Sequence, residues 1–257
     1  MFNFRVVIIS YKRHDMIQEK TLNMLKRYHV PASLIDIWVA NNEEYEIYKK
    51  KVPSNLYNKI FIGEKGAYNA RNCVRKHYPD NQLLLNLDDD IEEILLLKNG
   101  ELKPIGKDLI KLTKIAYKLM KTTQSKLCGI YAVNNAYFMS NTYSEGLYFC
   151  VAAMYWTLND KSPELNATLP EKDDYQTIIH HYIKYKKVIR LNNVTIKTNY
   201  YKGKGGMTEE RTEERIKQAG TYLIQHYPNL VEQNTTRKNH FEIKFKRQKN
   251  NKKRRYV

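Results

Sequence analysis

Three consecutive aspartates, Asp88, Asp89 and Asp90, end an apolar run that starts at Leu83. The run is typical of a strand buried on both faces, which places the carboxylates at its carboxyl end. Adjacent carboxylates repel one another, and a hard divalent cation would neutralise them. Because alternate residues of an extended chain point the same way, Asp88 and Asp90 can address one ion while Asp89 faces the other side. A metal held there could stabilise a diphosphate leaving group; the alternative is a solvated acidic turn that caps the next element.

A second acidic group, residues 171–174, opens a segment with helical spacing that extends to about Tyr185. Asp173 can cap this helix, and acidic residues suit its first turn, so a structural role would explain the group completely. The functional alternative is a general base, Asp173 or Asp174, aimed at the metal site. Such a base must lie within hydrogen-bond reach of the proton that it takes.

Two glycine-containing segments carry side chains that suit phosphate. Gly66 permits a tight turn and places Arg71 within the first two turns of a predicted helix. Helix N-termini favour anions, and an arginine adds charge-assisted hydrogen bonds; a surface arginine on an ordinary amphipathic helix is the alternative. In the basic loop 202–207, Lys204, Gly205 and Gly206 could bind phosphate and close over a ligand, or the loop is a plain linker.

The elements that must position these residues alternate between strands and helices. Strands are predicted at residues 4–10, 35–40, 59–62 and 83–91, with helical segments between them. This order indicates an α/β fold with a mostly parallel, doubly wound sheet. Ligands gather at the carboxyl edge of such sheets, where residues 11–13 would follow the first strand.

The second half of the chain has a mixed pattern. Apolar spacing predicts helices at residues 108–120 and 208–227. Residues 129–140 and 147–157 are predicted as strands that are antiparallel at least in part. Residues 187–198 are predicted as one long strand or a strand pair, and the pair Asn99-Gly100 as a turn.

Composition excludes several classes of protein. The 257 residues are 42% hydrophobic, which suffices for a sizeable core, and no apolar run reaches the length of a membrane span. The three cysteines are widely spaced and odd in number, so no zinc pattern or disulfide framework follows. Cysteine usage and the lack of a signal-peptide layout at the first residues lead us to expect a cytoplasmic location.

The net charge of +17 indicates a polyanionic partner, such as nucleic acid, anionic lipid or an acidic glycan. Residues 237–257 contain ten Lys and Arg against one Glu, so this stretch alone carries +9. The alternative is that the positive charge follows from a composition rich in Lys, Asn, Ile and Tyr, without selection for binding. We predict a flexible basic tail over residues 234–257. Its candidate nucleic-acid-binding residues are Arg237, Lys238, Lys244, Lys246, Arg247, Lys252, Lys253, Arg254 and Arg255.

Three motifs occur in a restrictive order: Ser-Tyr-Lys-Arg at residues 10–13, Gly-Ala-Tyr-Asn-Ala-Arg-Asn at 66–72 and Leu-Asp-Asp-Asp at 87–90. This order resembles glycosyltransferases of the GT-A fold over about residues 4–201. The resemblance implies a GT-A-like, Rossmann-like sheet flanked by helices. It also implies that Asp88 and Asp90 bind Mn²⁺ or Mg²⁺, which bridges a nucleoside diphosphate-sugar.

The resemblance extends to single residues. The residues that it implies for binding the sugar donor are Ser10, Tyr11, Arg13, Asn41, Arg71, Asp88, Asp89, Lys204, Gly205 and Gly206. Asn41 departs from the family, which often has an acid after the second strand. Asp174, with Asp173 close behind, lies where inverting members have their base. Many relatives also take a metal ligand from a late histidine, but none follows Val188 closely, which leaves that position to water or Asn199.

These implications predict a metal-dependent glycosyltransferase that uses a UDP-sugar and inverts at the sugar. The chain is similar in size and charge to phage enzymes that glycosylate hydroxymethylated pyrimidines in DNA, with the target base leaving the stack. The alternatives are a surface-glycan or lipid-linked acceptor at an anionic membrane, a non-catalytic nucleic-acid-binding protein, and phosphoryl chemistry, which lacks a P-loop lysine pattern here. We expect residues 1–201 to form the catalytic domain and 202–233 to complete it.

Overall fold

The computed structural model describes residues 3–198, 206, 211–236 and 241–256. Its first half alternates strands and helices. These are β1 (Phe4–Ile9), α1 (His14–Ile17), α2 (Asn23–Arg27), β2 (Ile35–Val39), α3 (Asn42–Lys51), β3 (Lys59–Ile62), α4 (Ala67–His77), β4 (Leu83–Leu87), β5 (Glu93–Lys98) and β6 (Glu101–Pro104). A π-helical turn, Gln18–Leu22, joins α1 to α2.

The second half adds three long helices and eight short strands in the described residues. These are α5 (Leu109–Thr123), β7 (Leu127–Ile130), β8 (Thr142–Gly146), β9 (Met154–Leu158), α6 (Asp173–Tyr185), β10 (Val188–Leu191), β11 (Val194–Lys197), α7 (Glu213–His226), β12 (Val231–Gln233), β13 (Ile243–Phe245) and β14 (Lys252–Arg255). No described helix is both long and apolar enough to cross a membrane.

One nine-stranded sheet organises the described chain, in the order β14-β8-β10-β7-β9-β4-β1-β2-β3. The pairings make β8 and β9 the strands that run against the other seven. The predicted mostly parallel α/β sheet is therefore confirmed. Because β1, β2 and β4 are parallel neighbours, the loops that follow them meet at one edge of the sheet.

Helices cover both faces of this sheet, as the nearly continuous apolar strands require. On one face of the sheet, Ile8 of β1 and Met120 of α5 belong to one hydrophobic cluster. Val7 packs on the other face with Val74 of α4. Ile178 of α6 continues that second face beside β7 and β10. The two faces give the sheet a fixed frame on which the edge loops are built.

A three-stranded antiparallel sheet, β11-β5-β6, lies after the aspartates. The predicted turn Asn99-Gly100 joins β5 to β6, with φ of 52° and 81°, as a two-residue hairpin turn of type I′ requires. The segment predicted as one strand or a strand pair is a pair, β10 and β11, which divides between the two sheets.

The predicted strand over residues 129–140 is wrong beyond Ile130. Residues 136–138 form a 3₁₀ turn, and β8 begins only at Thr142. Val133, Tyr137 and Phe138 are 48%, 87% and 58% exposed, so the sheet does not bury these side chains as it would bury those of a strand. The strand predicted from residue 147 likewise starts only at Met154.

The flexible tail predicted for residues 234–257 is wrong for the described residues 241–256. β13 pairs with β12, and β14 pairs with β8 as the edge strand of the large sheet. Asn251 donates to Leu147 O (3.1 Å) and accepts from Leu147 N (2.8 Å). Tyr256 Oη donates to Asn193 Oδ1 (2.6 Å). Backbone pairing and these contacts hold the segment while its basic side chains stay in solvent.

The last helix starts later than predicted. Residues 208–210 lie outside the described part, and α7 begins at Glu213. Thr212 caps α7, because its Oγ1 accepts from Arg215 N (3.2 Å).

Candidate active site

Asp88, Asp89 and Asp90 form a turn, the aspartate turn, that follows β4 at the carboxyl edge of the sheet. Backbone contacts fix this turn. Asp88 N donates to Ala153 O (2.9 Å), which extends the β4–β9 pairing by one residue. Thr21 Oγ1 donates to Asp88 O (2.9 Å) and accepts from Ile91 N (3.0 Å). These hydrogen bonds therefore fix the backbone of the turn that carries the three carboxylates.

Asp89 is buried within this turn and contacts the loop after β1. Ser10 Oγ donates to Asp89 Oδ2 (2.6 Å), and Arg13 Nη1 donates to Asp89 Oδ1 (3.1 Å). Arg13 also lies 3.8 Å from an oxygen of Asp90. Burial raises the pKa of Asp89 to about 6, against the opposing effect of Arg13. Asp89 therefore ties the loops after β1 and β4 together.

Arg71 of α4 connects the aspartate turn to the second acidic group. Its Nη2 donates to Asp88 Oδ1 (3.3 Å) and Ala152 O (3.4 Å), and its Nη1 forms an ion pair with Asp173. Burial raises the pKa of Asp88 to about 7; Arg71 opposes the rise and Asp90 adds to it. Two acidic segments that are far apart in sequence therefore share one guanidinium.

The helix cap predicted for Asp173 is wrong. Lys172 occupies the N-cap position of α6 with φ of 55°, and no side chain caps the helix there. Asp173 is the first helical residue, and its carboxylate turns to Arg71 instead. The pairing with a buried cation across the site takes precedence over local capping.

Asp174 lies in a different environment from Asp173. It lines a cavity of about 20 Å³ together with Arg71, Cys150 and Tyr155, which is room for about one water. Its Oδ1 accepts from Tyr175 N (2.8 Å). Burial raises the pKa of Asp174 to about 6, and the neighbouring charge of Asp173 adds to the rise. A carboxyl with this pKa can take up a proton near neutral pH.

The residues around the aspartate turn fit a hard divalent cation. The side chains of Asp88 and Asp90 are 33% and 17% exposed, so both carboxylates reach solvent. Among the described residues, no group of three or more His, Cys, Asp and Glu could hold a metal. The described chain thus offers at most two carboxylates, and water and phosphate oxygens would complete the coordination, as is common for Mg²⁺. The further predicted ligand, Asn199, lies outside the described residues.

The loop after β1 meets one residue of the glycine-rich loop. Gly206 N donates to Tyr11 O (3.0 Å), with φ of 68°. A Cβ at Gly206 would lie 2.9 Å from Arg13 Cζ, so only glycine fits there without displacing the guanidinium. Lys204 and Gly205 lie outside the described residues.

Helix α3 supplies contacts that the sequence analysis missed. Glu44 accepts from Lys12 N (2.7 Å), and Tyr48 Oη shares a hydrogen bond with Ser10 Oγ (2.7 Å). Asn41 Oδ1 accepts from Glu44 N (2.9 Å), so it caps α3. Glu44 and Tyr48 are four residues apart and share one helix face, a signal that the sequence did contain.

The described residues among those predicted to bind nucleic acid are not part of the cluster around the aspartate turn. Lys252, Lys253, Arg254 and Arg255 are exposed on β14. Lys244 pairs with Glu232 (3.3 Å), and Arg247 is also exposed. Five strand spacings separate β14 from β4, or about 24 Å. Lys246 is half-buried, and Arg237 and Lys238 lie outside the described residues.

No protein-family model matches the chain, and no curated protein matches it. Solved structures do. S. aureus TarS 1–349 in complex with UDP-GlcNAc has a TM-score of 0.56 at 15% identity, over 87% of this chain and 67% of TarS 1–349. The chain spans 40% of the longer S. aureus TarS. Glucosyl-3-phosphoglycerate synthase from Mycobacterium tuberculosis, with Mn²⁺, UDP and phosphoglyceric acid, has a TM-score of 0.51 at 8% identity, over 98% of this chain and 89% of that one. The predicted GT-A fold is confirmed.

Proposed function

We propose that the protein is a metal-dependent glycosyltransferase that moves a sugar from a nucleoside diphosphate-sugar to a hydroxyl acceptor. One observation carries the proposal. On a GT-A sheet, the aspartate turn, Arg13, Arg71 and Asp173 converge at the carboxyl edge. The similar structures were solved with UDP-GlcNAc and with UDP and Mn²⁺, so a UDP-sugar is the favoured donor.

Asp88 and Asp90 would hold Mn²⁺ or Mg²⁺, and the ion would supply positive charge for the diphosphate leaving group. Arg71 is already close to Asp88 and would add positive charge on the same side. Asp89 does not compete for the metal, because Ser10 and Arg13 occupy its oxygens. Its role is to fix Arg13 in the loop that would contact the nucleotide.

Asp174 is the proposed general base of an inverting reaction. Its carboxylate takes the proton of the acceptor hydroxyl while that oxygen bonds to the anomeric carbon. The bond from this carbon to the diphosphate breaks at the same time, and the diphosphate leaves with the electron pair. Asp173 positions Arg71 through their ion pair and is the second candidate for the base.

We propose DNA as the acceptor, through the hydroxyl of a hydroxymethylated pyrimidine. The net charge of +17 and the exposed basic strand β14 support a nucleic-acid partner. A lipid-linked or surface-glycan acceptor is the second candidate. The exposed Tyr137 and Phe138 favour it, because exposed aromatic side chains suit insertion into a membrane surface.

Calorimetry of UDP binding with and without Mn²⁺ tests the proposal. We expect binding that requires Mn²⁺ and that weakens at least about 100-fold in Asp88→Ala and Asp90→Ala. Asp108→Ala, which removes an exposed carboxylate outside the site, is the matched control and should bind as the wild type. Equal binding in all variants would refute the metal assignment.

The same variants separate an enzyme from a non-catalytic nucleic-acid-binding protein. An enzyme with Asp88→Ala should lose sugar transfer and keep DNA binding. If Mn²⁺-dependent UDP binding is absent from the wild type and DNA binding is present, the non-catalytic alternative replaces the proposal.

A further inference from the structure

Arg190 of β10 is a cation that the proposed reaction does not use. Its guanidinium carbon lies 4.8 Å from the ring centre of Tyr131 and 5.1 Å from that of Tyr148. Nε donates to Asn192 Oδ1 (2.9 Å), and Nη1 donates to Phe149 O (3.2 Å). These contacts hold the planar group in one orientation.

The charge of Arg190 is not compensated by a carboxylate in the described part of the chain. Its neighbouring titratable groups are Cys150, Tyr131 and Tyr148. A guanidinium has five N–H donors, and the two hydrogen bonds above engage two of them. The remaining donors are not among the buried side-chain atoms that lack a hydrogen-bond partner, so they reach solvent and can bind an anion.

The register of the sheet places Arg190 in a row that leads to the site. Arg190 is opposite Gly129, Gly129 is opposite Tyr155, and Tyr155 is opposite Asn86, two residues before Asp88. Three strand spacings separate β10 from β4, or about 14 Å. The segment 149–152 bridges the gap, since its Phe149 O contacts Arg190 and its Ala152 O contacts Arg71.

The same row continues outward to the basic edge strand. Arg190 is opposite Ser144, and Ser144 is opposite Lys253. Directly opposed residues point to the same face, so Lys253 and Arg255 share the face of Arg190. Lys252 and Arg254 point to the other face, where Arg254 pairs with Glu145 (2.6 Å). Two strand spacings, about 10 Å, separate β14 from β10.

We propose that Arg190 binds a backbone phosphate of a nucleic-acid acceptor strand, and that Lys253 and Arg255 bind phosphates further along it. Because α6 covers this face between β10 and β4, the strand would run along the carboxyl edge of the sheet, from β14 past Arg190 towards Asp174. This inference rests on the proposed function for the identity of the acceptor. It assigns a phosphate subsite to residues outside the aspartate turn.

Fluorescence anisotropy of a labelled 12-nucleotide oligothymidine tests the assignment, with matched pairs of variants. Arg190→Gln should weaken binding about tenfold or more, as for loss of a charged hydrogen-bonding partner. Lys253→Gln/Arg255→Gln should weaken binding and make the log–log salt slope about 1.4 less steep, since each phosphate contact on a single strand contributes about 0.7. Lys252→Gln/Arg254→Gln removes the same charge from the other face and should have a much smaller effect.

Equal losses in the two double variants, or an unchanged affinity in Arg190→Gln, would overturn the proposal. A second measurement does not depend on the stability of the variants. The side-chain Nε–H NMR signal of Arg190 in the wild-type protein should shift on addition of the oligonucleotide; no shift would also overturn it. If Lys253 and Arg255 are needed for binding to phosphatidylglycerol vesicles and not for binding to the oligonucleotide, the surface binds membrane and the inference is wrong.

UDP binding with Mn²⁺, measured in the same variants, keeps this inference separate from the proposed function. It should be unchanged in Arg190→Gln, because Arg190 lies about 14 Å from β4 across the sheet. If the wild type does not bind UDP, the proposed glycosyltransferase function is refuted. The anisotropy measurements then still test whether Arg190, Lys253 and Arg255 bind phosphates.

Discussion

At the scale of single residues, Asp173 and Asp174 show how neighbours in sequence acquire different properties. Asp173 is compensated by Arg71, whereas Asp174 faces a small cavity and has a pKa of about 6. Divergent environments for two adjacent carboxylates are a common way to give one of them a base function. The distinction is invisible in the sequence, where both are first-turn residues of a helix.

The pH dependence of sugar transfer should report Asp174. Because the base must be ionised, the rate should rise as pH increases through about 6 and then level off. In Asp173→Asn the rise should move to lower pH, because the charge of Asp173 raises the pKa of Asp174. UDP release from a UDP-sugar with acceptor present, followed from pH 5 to 8, measures both profiles.

Asp174→Asn provides the control for this assignment. It should lower the rate about 10²- to 10⁴-fold at every pH, as expected for loss of a general base. If Asp173→Asn caused the larger loss and left no ionisation near pH 6, Asp173 would be the base and Asp174 would be a structural carboxyl.

His181 should make stability depend on pH. It is buried on α6 and donates from Nδ1 to Thr177 O (2.9 Å), and burial lowers its pKa to about 4. Below about pH 6.5 the unfolded chain binds a proton that the folded chain does not, so stability falls as pH falls towards 4. The loss by pH 5 is about 2 kcal/mol.

Urea unfolding at pH 7 and pH 5 measures this effect. His181→Gln should lose less free energy of unfolding between these pH values than the wild type. His226→Gln, which changes an exposed histidine, should behave as the wild type. The prediction fails if all three proteins lose the same free energy of unfolding.

At the scale of elements, the parallel half of the sheet was predictable and the antiparallel half was not. Strands β1, β2, β3 and β4 are short apolar runs with clear breaks, and the structure has them within one or two residues at most ends, although β4 ends at Leu87, before the aspartates. Residues 131–141 contain Tyr, Val, Ala, Phe and Met as a strand would, yet Asn135 caps a 3₁₀ turn among them and no neighbouring strand pairs with them. Tertiary pairing decides such segments, and composition does not reveal it.

The candidate site, like the sheet, was predictable from the sequence only in part. The positions of Ser10, Arg13 and Asp88 at the carboxyl edge follow from strand order alone. The ion pair of Arg71 with Asp173 joins residues 102 positions apart, and no local pattern encodes that contact. The same is true of Arg190, whose row to the site exists only because β7 and β9 lie between β10 and β4.

The docking of β14 should depend on Asn251. This residue makes two hydrogen bonds with the backbone of Leu147, next to Gly146, whose φ is 126°. Asn251→Ala should cost about 1–3 kcal/mol, because it removes two local hydrogen bonds and leaves Leu147 without these partners. Hydrogen exchange should then accelerate in β14 while β7 and β10 stay protected.

Lys249→Ala is the matched control for this prediction. It changes an exposed residue in the same connection and should leave exchange in β14 unchanged. Slow exchange of β14 in Asn251→Ala would mean that strand pairing with β8 suffices to hold it, and the asparagine would have no anchoring role.

At the scale of the whole molecule, the basic charge has two separable consequences. The four exposed cations of β14 line the outer edge of the large sheet, where lysine and arginine also discourage edge-to-edge association. This structural role requires charge on the strand and no particular face. In the proposed function, binding of a polyanion requires the cations on the face of Arg190. The two roles therefore predict different effects for substitutions on the two faces of β14.

The aromatic loop formed by Val133, Tyr137 and Phe138 should decide between a nucleic-acid and a membrane partner. Tyr137 and Phe138 are in edge-to-face contact (5.0 Å between ring centres) and lie between β7 and β8, whose facing ends are at the carboxyl edge of the sheet. If bases stack on them, Tyr137→Ala/Phe138→Ala should weaken oligothymidine binding about tenfold or more with an unchanged salt slope, since no charge is removed. Ile183→Ala, at an exposed apolar residue of α6, is the control. If the double variant instead loses only binding to phosphatidylglycerol vesicles, the rings insert into lipid, and the acceptor is to be sought among lipid-linked glycans.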